Sequence, residues 1–238
     1  MIRTAAAALY VALMALLLGP PLLLYSVIVG STSLLFRAGR GVAVLAVRGV
    51  GVRMRVEGIE NIPPGTCLFA ANHTSFADPP VIVGAIPRDI AILAKRSLFA
   101  IPIIGTGFRM AHFVPVDRSS RGSAVESLDL AARYMKNGVS YLIYPEGTRS
   151  LNGRLRPFKR GGFALAIKAG VPVVPVACAG AHRVLPKNSL RITPGEIVVR
   201  FCLPVDAREF TLEQRGALAE RVHAEIAAAL PSDQQPAS

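Results

Sequence analysis

The sequence predicts an α/β fold: a mixed, largely parallel sheet flanked by helices and preceded by a hydrophobic helical hairpin at the N-terminus. Two observations lead to this prediction. Apolar residues are concentrated at the N-terminus, and from about residue 52 onward short apolar runs alternate with helical stretches, each bounded by Gly, Pro, Asp or Asn. Such alternation is typical of a sheet covered by helices. We divide the chain into an N-terminal hairpin segment (1–50), an α/β domain (51–231) and a disordered tail (232–238).

The N-terminal segment consists of two apolar stretches, Ala5–Leu18 and most of Leu22–Phe36, separated by Gly19-Pro20-Pro21. Because each proline disfavours helical geometry in the residue before it, we expect this triplet to break the helix. The halves would be roughly 21 and 22 Å long, shorter than the ~30 Å hydrocarbon core of a bilayer. Two short helices that dip into one leaflet fit these lengths best. A single tilted, kinked span and a cleaved signal peptide are the alternatives.

The formal net charge of +12 at pH 7 calls for an anionic partner. The chain lacks the interleaved basic and aromatic residues of nucleic-acid modules, which argues against nucleic acid. Arginines follow the apolar segment directly, as expected for attraction to anionic membrane lipids and retention at the cytoplasmic face. A solvated basic surface is the alternative. These arginines are Arg37, Arg40, Arg48, Arg53 and Arg55.

Seven strands and four helices are predicted after the N-terminal segment. The strands are Arg53–Gly58, Cys67–Ala71, Ile90–Ala94, Phe113–Pro115, Tyr141–Tyr144, Val171–Ala177 and Glu196–Phe201. The helices are Pro79–Ile86, Ser123–Lys136, Gly161–Ala169 and a last one from about Thr211 to Leu230. In the last helix, Thr211 and Gln214 match a capping box, and Pro231 ends the helix ahead of the tail.

The cysteines Cys67, Cys178 and Cys202 are odd in number, far apart and without metal-ligand spacing. This pattern argues against a disulfide framework and favours a reducing compartment. It also argues against a zinc site. We expect all three to be buried structural residues.

The first candidate site pairs His73 with Asp78, directly after the strand Cys67–Ala71. Asp78 falls at a helix N-cap with Pro79 at the first helical position, and His73 lies on a loop at the carboxyl end of a strand, where open α/β sheets bind ligands. A neutral imidazole can take a proton from a hydroxyl, while a carboxylate fixes its tautomer. Because the His-x4-Asp spacing alone is a weak signal, a structural histidine and a simple helix cap are the alternatives.

Arginines after two other strands are candidate phosphate ligands. Arg149 lies in the run Pro145–Ser150, where Gly147 allows a sharp turn or a close approach by a ligand. Its planar guanidinium suits phosphate oxygens. Arg118 follows the strand Phe113–Pro115. Each could instead be an ordinary surface ion pair, as could a third basic cluster. That cluster comprises Arg154, Arg156, Lys159 and Arg160.

Together these residues resemble the glycerolipid acyltransferase family, most closely the bacterial 1-acyl-sn-glycerol-3-phosphate acyltransferases. The resemblance covers roughly residues 72–177 and carries four motifs in the family's order. They are His73–Asp78, Val116–Arg118, Glu146–Ser150 and Val171–Val176. One departure is at Ala111-His112-Phe113, where the family usually carries a glycine ahead of the aromatic residue.

The resemblance implies that His73 is the general base and Asp78 its orienting carboxylate, in an acyltransferase domain over residues 51–231. The substrate-binding residues that it implies are Arg118 and Arg149 for the acceptor phosphate, Glu146, Gly147 and Thr148 for the shape of the acceptor pocket, and Lys95 as a further phosphate contact. No metal or other cofactor is implied.

The implied reaction moves a fatty acyl group from acyl-CoA or acyl carrier protein to the sn-2 hydroxyl of lysophosphatidic acid, giving phosphatidic acid in phospholipid biosynthesis. Since no serine or cysteine stands in a nucleophile-elbow pattern, we expect direct attack without an acyl-enzyme. The expected location is the cytoplasmic face of the bacterial inner membrane, through monotopic or single-span attachment. The alternatives are transfer to a lyso-ornithine lipid or lysophospholipid, a lipid hydrolase using the same pair, and a silent membrane-binding module.

Overall fold

Within residues 1–116 and 121–236, which the computed structural model describes, eight α-helices and seven strands follow one another. The helices are α1 (Ile2–Val29), α2 (Ser33–Gly49), α3 (Asp78–Ala85), α4 (Pro102–Met110), α5 (Arg121–Lys136), α6 (Ala164–Ala169), α7 (Ala181–Val184) and α8 (Arg215–Ala229). The strands are β1 (Val52–Glu57), β2 (Leu68–Ala71), β3 (Ile90–Lys95), β4 (Val114–Val116), β5 (Ser140–Ile143), β6 (Val173–Ala179) and β7 (Gly195–Phe201). Each predicted strand is therefore present, with its ends within two residues of the predicted ones.

The strands form one sheet in the order β1-β7-β6-β2-β5-β3-β4. Every pairing is parallel except that between β6 and β7, which is antiparallel. This confirms the predicted mixed, largely parallel sheet. The central strand β2 is buried along its whole length, as expected of a parallel strand covered on both faces. Its carboxyl end is therefore the point at which the loops after β2, β5 and β6 meet.

The two faces of the sheet carry separate cores. Alternate residues of β2 point to opposite faces, so Leu68 packs with α5, α6 and α8, whereas Phe69 packs with α3 and α7. The N-terminal helices join the second face, where Phe36 and Val47 of α2 pack against that core. Arg40 of α2 donates to the carbonyl of Ile86 at 2.7 Å and ties the hairpin to the end of α3. The apolar hairpin and α8 consequently lie on opposite faces of the sheet.

The predicted helix break at Gly19-Pro20-Pro21 is wrong. Helix α1 runs through both prolines for 28 residues. Gly30, which follows its last residue Val29, adopts left-handed geometry with φ 70°. The prolines remove two backbone N–H donors, yet the helix continues past them. The turn into α2 forms at Gly30 instead, because glycine takes positive φ without strain. The hairpin is thus made of α1 and α2. At about 42 Å, α1 is the one helix among the described residues long and apolar enough to cross a membrane.

The segment expected to be a disordered tail, 232–238, is anchored within its described part, 232–236, by one buried residue. Gln234 is 1% exposed, its side-chain oxygen accepts from the Gly180 N–H at 3.1 Å, and its carbonyl accepts from the Leu155 N–H at 2.8 Å. The expectation of disorder does not hold at Gln234, because its side chain and carbonyl satisfy backbone N–H groups that the fold leaves open. Residues 237–238 lie outside the described part of the chain.

Candidate active site

The His73–Asp78 pair lies at the carboxyl end of β2, where α3 begins. Nδ1 of His73 is 2.8 Å from Oδ2 of Asp78, which is fully buried. The same oxygen accepts from the backbone N–H groups of Thr74 at 2.7 Å and Ser75 at 2.8 Å. An oxygen that faces three nitrogens in this way acts as acceptor, so Nδ1 carries a proton and Nε2 is left as the basic nitrogen. The carboxylate thus folds back over its own loop, as the sequence predicted.

The ring of His73 is held flat against Tyr144, at 4.2 Å between ring centroids and 26° between planes. The Tyr144 hydroxyl is buried and has no hydrogen-bond partner among the described residues. Burial raises the pKa of this phenol well above its usual value, so it stays neutral. The His73 side chain keeps 19% of its surface exposed, and none of the described residues bonds its Nε2. This nitrogen is therefore open to a substrate.

The backbone of His73 is fixed by the third motif. Glu146, 3% exposed, accepts from the His73 N–H through Oε1 at 2.6 Å and from the Arg156 N–H through Oε2 at 3.3 Å. Ser150 donates its N–H to the His73 carbonyl at 2.8 Å. Desolvation raises the pKa of Glu146 to about 7. The carboxylate thus faces the loop that runs from His73 to Asp78, which we call the catalytic loop. Any effect of Glu146 on an acceptor pocket would act through the position of that loop.

Gly147 makes the sharp turn that the sequence suggested, with φ 72°. A Cβ added there would lie 3.0 Å from Cε and Nζ of Lys159, so a side chain also passes close to it. The close approach comes from Lys159 of the same chain. Both the backbone conformation and the contact therefore favour glycine at this position.

Arg149 reaches across to the catalytic loop. Its guanidinium carbon lies 3.4 Å above the ring centroid of Phe76, which is three residues from His73. Its Nη1 is buried with no hydrogen-bond partner among the described residues. A buried guanidinium nitrogen without an acceptor is costly, and an anionic ligand would supply that acceptor. Stacking on Phe76 thus holds the Arg149 guanidinium beside the pair with donors unused.

Lys187 is a cation at this site that sequence reasoning missed. Its ammonium donates to the Arg149 carbonyl at 2.9 Å and lies 3.5 Å from Oγ1 of Thr148. The loop that carries Lys187 is pinned by Ser75, whose hydroxyl donates to the Leu185 carbonyl at 2.7 Å. None of the ion pairs among the described residues includes Lys187. Because Lys187 lies in a loop without a motif, far along the chain from His73, no sequence pattern indicated that it reaches this site.

Asn72 and Cys178 form the floor of the site. The Asn72 amide donates to the Cys178 carbonyl at 3.0 Å and accepts from the Cys178 N–H at 2.7 Å, which joins the ends of β2 and β6. The Cys178 Sγ lies 3.6 Å from Oδ1 of Asp78. Burial raises the pKa of this thiol well above its usual value. All three cysteines are free and buried, as expected.

The remaining predicted residues lie away from the pair or outside the described ranges. Lys95 ends β3, two strands from β2 in the sheet order, and its side chain is exposed. Arg118 lies outside the described residues, which stop at Val116 and resume at Arg121. His112 has φ 59°, and its ring contacts that of Tyr134 of α5 in a tilted arrangement, 4.7 Å between centroids. His112 is therefore a structural residue.

A histidine with an oriented proton and an open Nε2, together with a guanidinium stacked on the same loop, is an arrangement that can serve acyl transfer or hydrolysis. The chain belongs to the acyltransferase family, because the family model described as Acyltransferase matches residues 53–179. This confirms the resemblance carried by the four motifs.

Similar proteins carry more specific names. A 1-acyl-sn-glycerol-3-phosphate acyltransferase of Cocos nucifera is 35% identical over 170 residues, covering 71% of this chain and 55% of the relative. The alpha form of the same-named enzyme in Homo sapiens is 33% identical over 174 residues, covering 72% of this chain and 62% of the relative. The chain thus spans about half to two thirds of the length of these curated relatives.

The crystal structure of the 1-acyl-sn-glycerophosphate (LPA) acyltransferase PlsC from Thermotoga maritima matches with a TM-score of 0.78 and 30% identity. The match covers 94% of this chain and 93% of that chain, and so it includes the N-terminal helices as well as the α/β domain.

Proposed function

We propose that this chain transfers a fatty acyl group from a thioester to the sn-2 hydroxyl of lysophosphatidic acid. The observation that carries the proposal is the 2.8 Å contact between His73 Nδ1 and Asp78 Oδ2, which leaves Nε2 open. The guanidinium of Arg149 stacks on Phe76 of the same loop and keeps its Nη1 without a hydrogen-bond partner among the described residues. The names of the relatives support the same acceptor. The product would be phosphatidic acid, a step of phospholipid biosynthesis.

The reaction follows from the protonation of the histidine. Nε2 of His73 accepts the proton of the acceptor hydroxyl as its oxygen attacks the thioester carbonyl, and Asp78 stabilises the imidazolium that forms. A carbon–oxygen bond forms, the carbon–sulfur bond breaks, and the imidazolium returns the proton to the leaving thiolate. The chain supplies no covalent nucleophile in this scheme, and no metal or redox cofactor takes part.

The acceptor phosphate would bind Arg149, with Arg118 as the second cation. The guanidinium of Arg149 is stacked on Phe76 and keeps a buried donor without a partner. A planar guanidinium binds phosphate through two parallel hydrogen bonds, which also orients the acceptor. The Lys187 ammonium contacts the Arg149 carbonyl and the Thr148 hydroxyl, and so adds a further positive charge beside the backbone of Arg149.

An apolar cavity of about 420 Å³ supports a long-chain substrate. It lies between the hairpin and helix α4, and Val83 of α3 reaches it from the helix that begins at Asp78. Leu18, Leu35 and Phe108 are among its walls. A fatty acyl chain would gain roughly 0.8 kcal/mol for each methylene buried there.

Attachment to the cytoplasmic face of a bacterial inner membrane fits the same surface. Helix α1 exposes large apolar side chains such as Leu9, Leu16 and Ile28, and the hairpin carries basic residues at its end. Lipid acceptors would reach the site from this side, while acyl-CoA or acyl carrier protein would come from solution.

Labelled product analysis tests the proposal. The purified chain in mixed micelles, given radiolabelled acyl-CoA and lysophosphatidic acid, should produce labelled phosphatidic acid on thin-layer chromatography. The His73→Ala variant is the control. Labelled free fatty acid alone would establish a hydrolase instead, and labelled product only with lyso-ornithine lipid or a lysophospholipid would replace the acceptor.

A further inference from the structure

A second cavity, of about 830 Å³, lies on the face of the sheet opposite the hairpin. The segment that follows the third motif forms one wall with Phe158, Lys159 and Arg160, and helix α8 forms the other with Gly216, Glu220 and His223. Its size falls within the usual range of small-molecule sites. Nothing in the proposed acyl-transfer mechanism uses this cavity.

The cavity is rich in unpaired positive charge. Lys159 and Arg160 are exposed, and Arg156 lies exposed on the same segment. None of the three takes part in an ion pair among the described residues. Glu220 is the one carboxylate among the lining residues. Lys159 and Arg160 in the lining outnumber that carboxylate, and Arg156 adds a third positive charge beside the cavity, so the balance favours an anionic ligand.

The cavity also has an aromatic wall and open space above it. The Phe158 ring stacks on Phe163 at 6.2 Å, and His223 meets it edge-on at 4.8 Å. Burial lowers the pKa of His223, which keeps this ring neutral. A Cβ added at Gly161 or Gly216 would meet no atom within 4 Å. A flat aromatic base fits such a wall better than a flexible alkyl chain.

The same segment connects the cavity to the catalytic loop. The Lys159 N–H donates to the Pro145 carbonyl at 2.8 Å, and the Lys159 ammonium approaches Gly147. Arg156 shares the Glu146 carboxylate with the backbone of His73. A ligand bound in the cavity would therefore lie next to the loop that holds the base, on the face turned away from the apolar hairpin.

We propose that this cavity binds the nucleotide end of coenzyme A in the acyl donor, an assignment that rests on the proposed function. The cations bind the phosphates, and Phe158 with His223 receives the adenine. The pantetheine arm then passes Gly147 toward His73. An acyl carrier protein lacks the adenosine and its 3′-phosphate, so it would leave the aromatic wall unused. The cavity thus favours the coenzyme A thioester as donor.

Donor kinetics test this assignment at saturating lysophosphatidic acid. The ratio of kcat/KM for palmitoyl-CoA to that for S-palmitoyl-pantetheine should fall about tenfold in Arg160→Ala. Gly216→Leu should lower the ratio by filling the cavity without changing charge. Arg133→Ala removes an exposed cation of α5 outside the lining and should leave the ratio unchanged. Equal ratios in all four proteins would overturn the assignment and leave acyl transfer intact.

Binding of free coenzyme A separates this inference from the proposed function, because it needs no turnover. In equilibrium dialysis the wild-type protein should bind coenzyme A more tightly than 3′-dephospho-coenzyme A, and Arg160→Ala should reduce that difference. If the protein bound coenzyme A in this way but transferred no acyl group from any donor, the proposed function would be rejected and the assignment of the cavity would stand. If the protein bound no coenzyme A but transferred acyl groups from acyl carrier protein, the assignment of the cavity would be rejected and the proposed function would stand.

Discussion

Glu146 accepts a hydrogen bond from the backbone N–H of His73 at 2.6 Å, with its carboxylate buried between the catalytic loop and the segment of Arg156. The base is therefore positioned by a residue 73 positions further along the chain. Because the Ser150 N–H also donates to the His73 carbonyl, residues of the third motif form hydrogen bonds with both backbone groups of the histidine. The two motifs act as one unit.

Glu146→Gln should remove a pH-dependent loss of stability. Because burial raises the pKa of Glu146 from 4.5 to about 7, the carboxyl is protonated in both folded and unfolded chains below pH 4.5. Between pH 4.5 and about 7 the unfolded chain releases its proton first, so the free energy of unfolding falls as pH rises through that window. The loss should approach ~3 kcal/mol at higher pH.

Unfolding of both proteins near about pH 5 and about pH 8 measures this effect. The wild type should lose more stability than Glu146→Gln on going from the lower to the higher pH. If the two proteins lost the same amount, the carboxyl of Glu146 would have to be ionised throughout, and the proposed burial cost would be wrong.

Arg149→Ala should weaken the acceptor far more than the donor. The guanidinium keeps a buried donor without a partner, and the proposed acceptor phosphate would fill that place. Losing a charge-assisted contact there costs on the order of 2 kcal/mol, or about thirtyfold in kcat/KM for lysophosphatidic acid. Kinetics with varied acceptor and saturating donor provide the measurement. A defect confined to the thioester would refute this role.

Lys187→Ala should lower kcat/KM for lysophosphatidic acid less than Arg149→Ala does, by roughly fivefold. The reason is that Lys187 contacts the Arg149 carbonyl rather than its guanidinium. Lys187→Arg keeps the charge and serves as the matched control. The double variant with Arg149→Ala should lose less than the two single losses combined, since both residues support one site. Full additivity would mean that Lys187 acts independently of Arg149.

His112→Gly should be more stable than His112→Ala by about 1 kcal/mol. Both variants lose the ring that contacts Tyr134, so their difference isolates the backbone, which has φ 59° at this position. The family that the sequence resembles usually has glycine there, and the positive φ explains that preference. Thermal unfolding of the two variants checks it, and equal stability would show that His112 bears no strain.

The sequence predicted the sheet and the contact between His73 and Asp78 because both depend on local patterns. The run Cys67–Ala71 is a continuous apolar strand, and Asp78 is followed by Pro79 at the start of a helix. The parallel arrangement brings the loop ends together without further information. The proximity of His73 and Asp78 follows from these features, and the structure gives the distance as 2.8 Å.

The errors arise where distant contacts decide. Pro20 and Pro21 lie inside α1 because the turn forms at Gly30, a choice that local propensity does not reveal. Gln234 is buried by partners at Gly180 and Leu155, far away in sequence. Lys187 reaches the site through a loop without a motif. Glu146 was expected at an acceptor pocket, yet its carboxylate binds backbone groups, and only the folded chain distinguishes these roles.

The rate of acyl transfer by His73→Ala tests the central claim most directly. The variant removes the open Nε2 of His73 and leaves the bonds to the His73 backbone in place, so the fold should persist. With unchanged melting temperature and membrane attachment, kcat should fall roughly a hundredfold or more, the usual scale for a positioned general base. Near wild-type production of phosphatidic acid by the folded variant would contradict the assignment of His73 as the base.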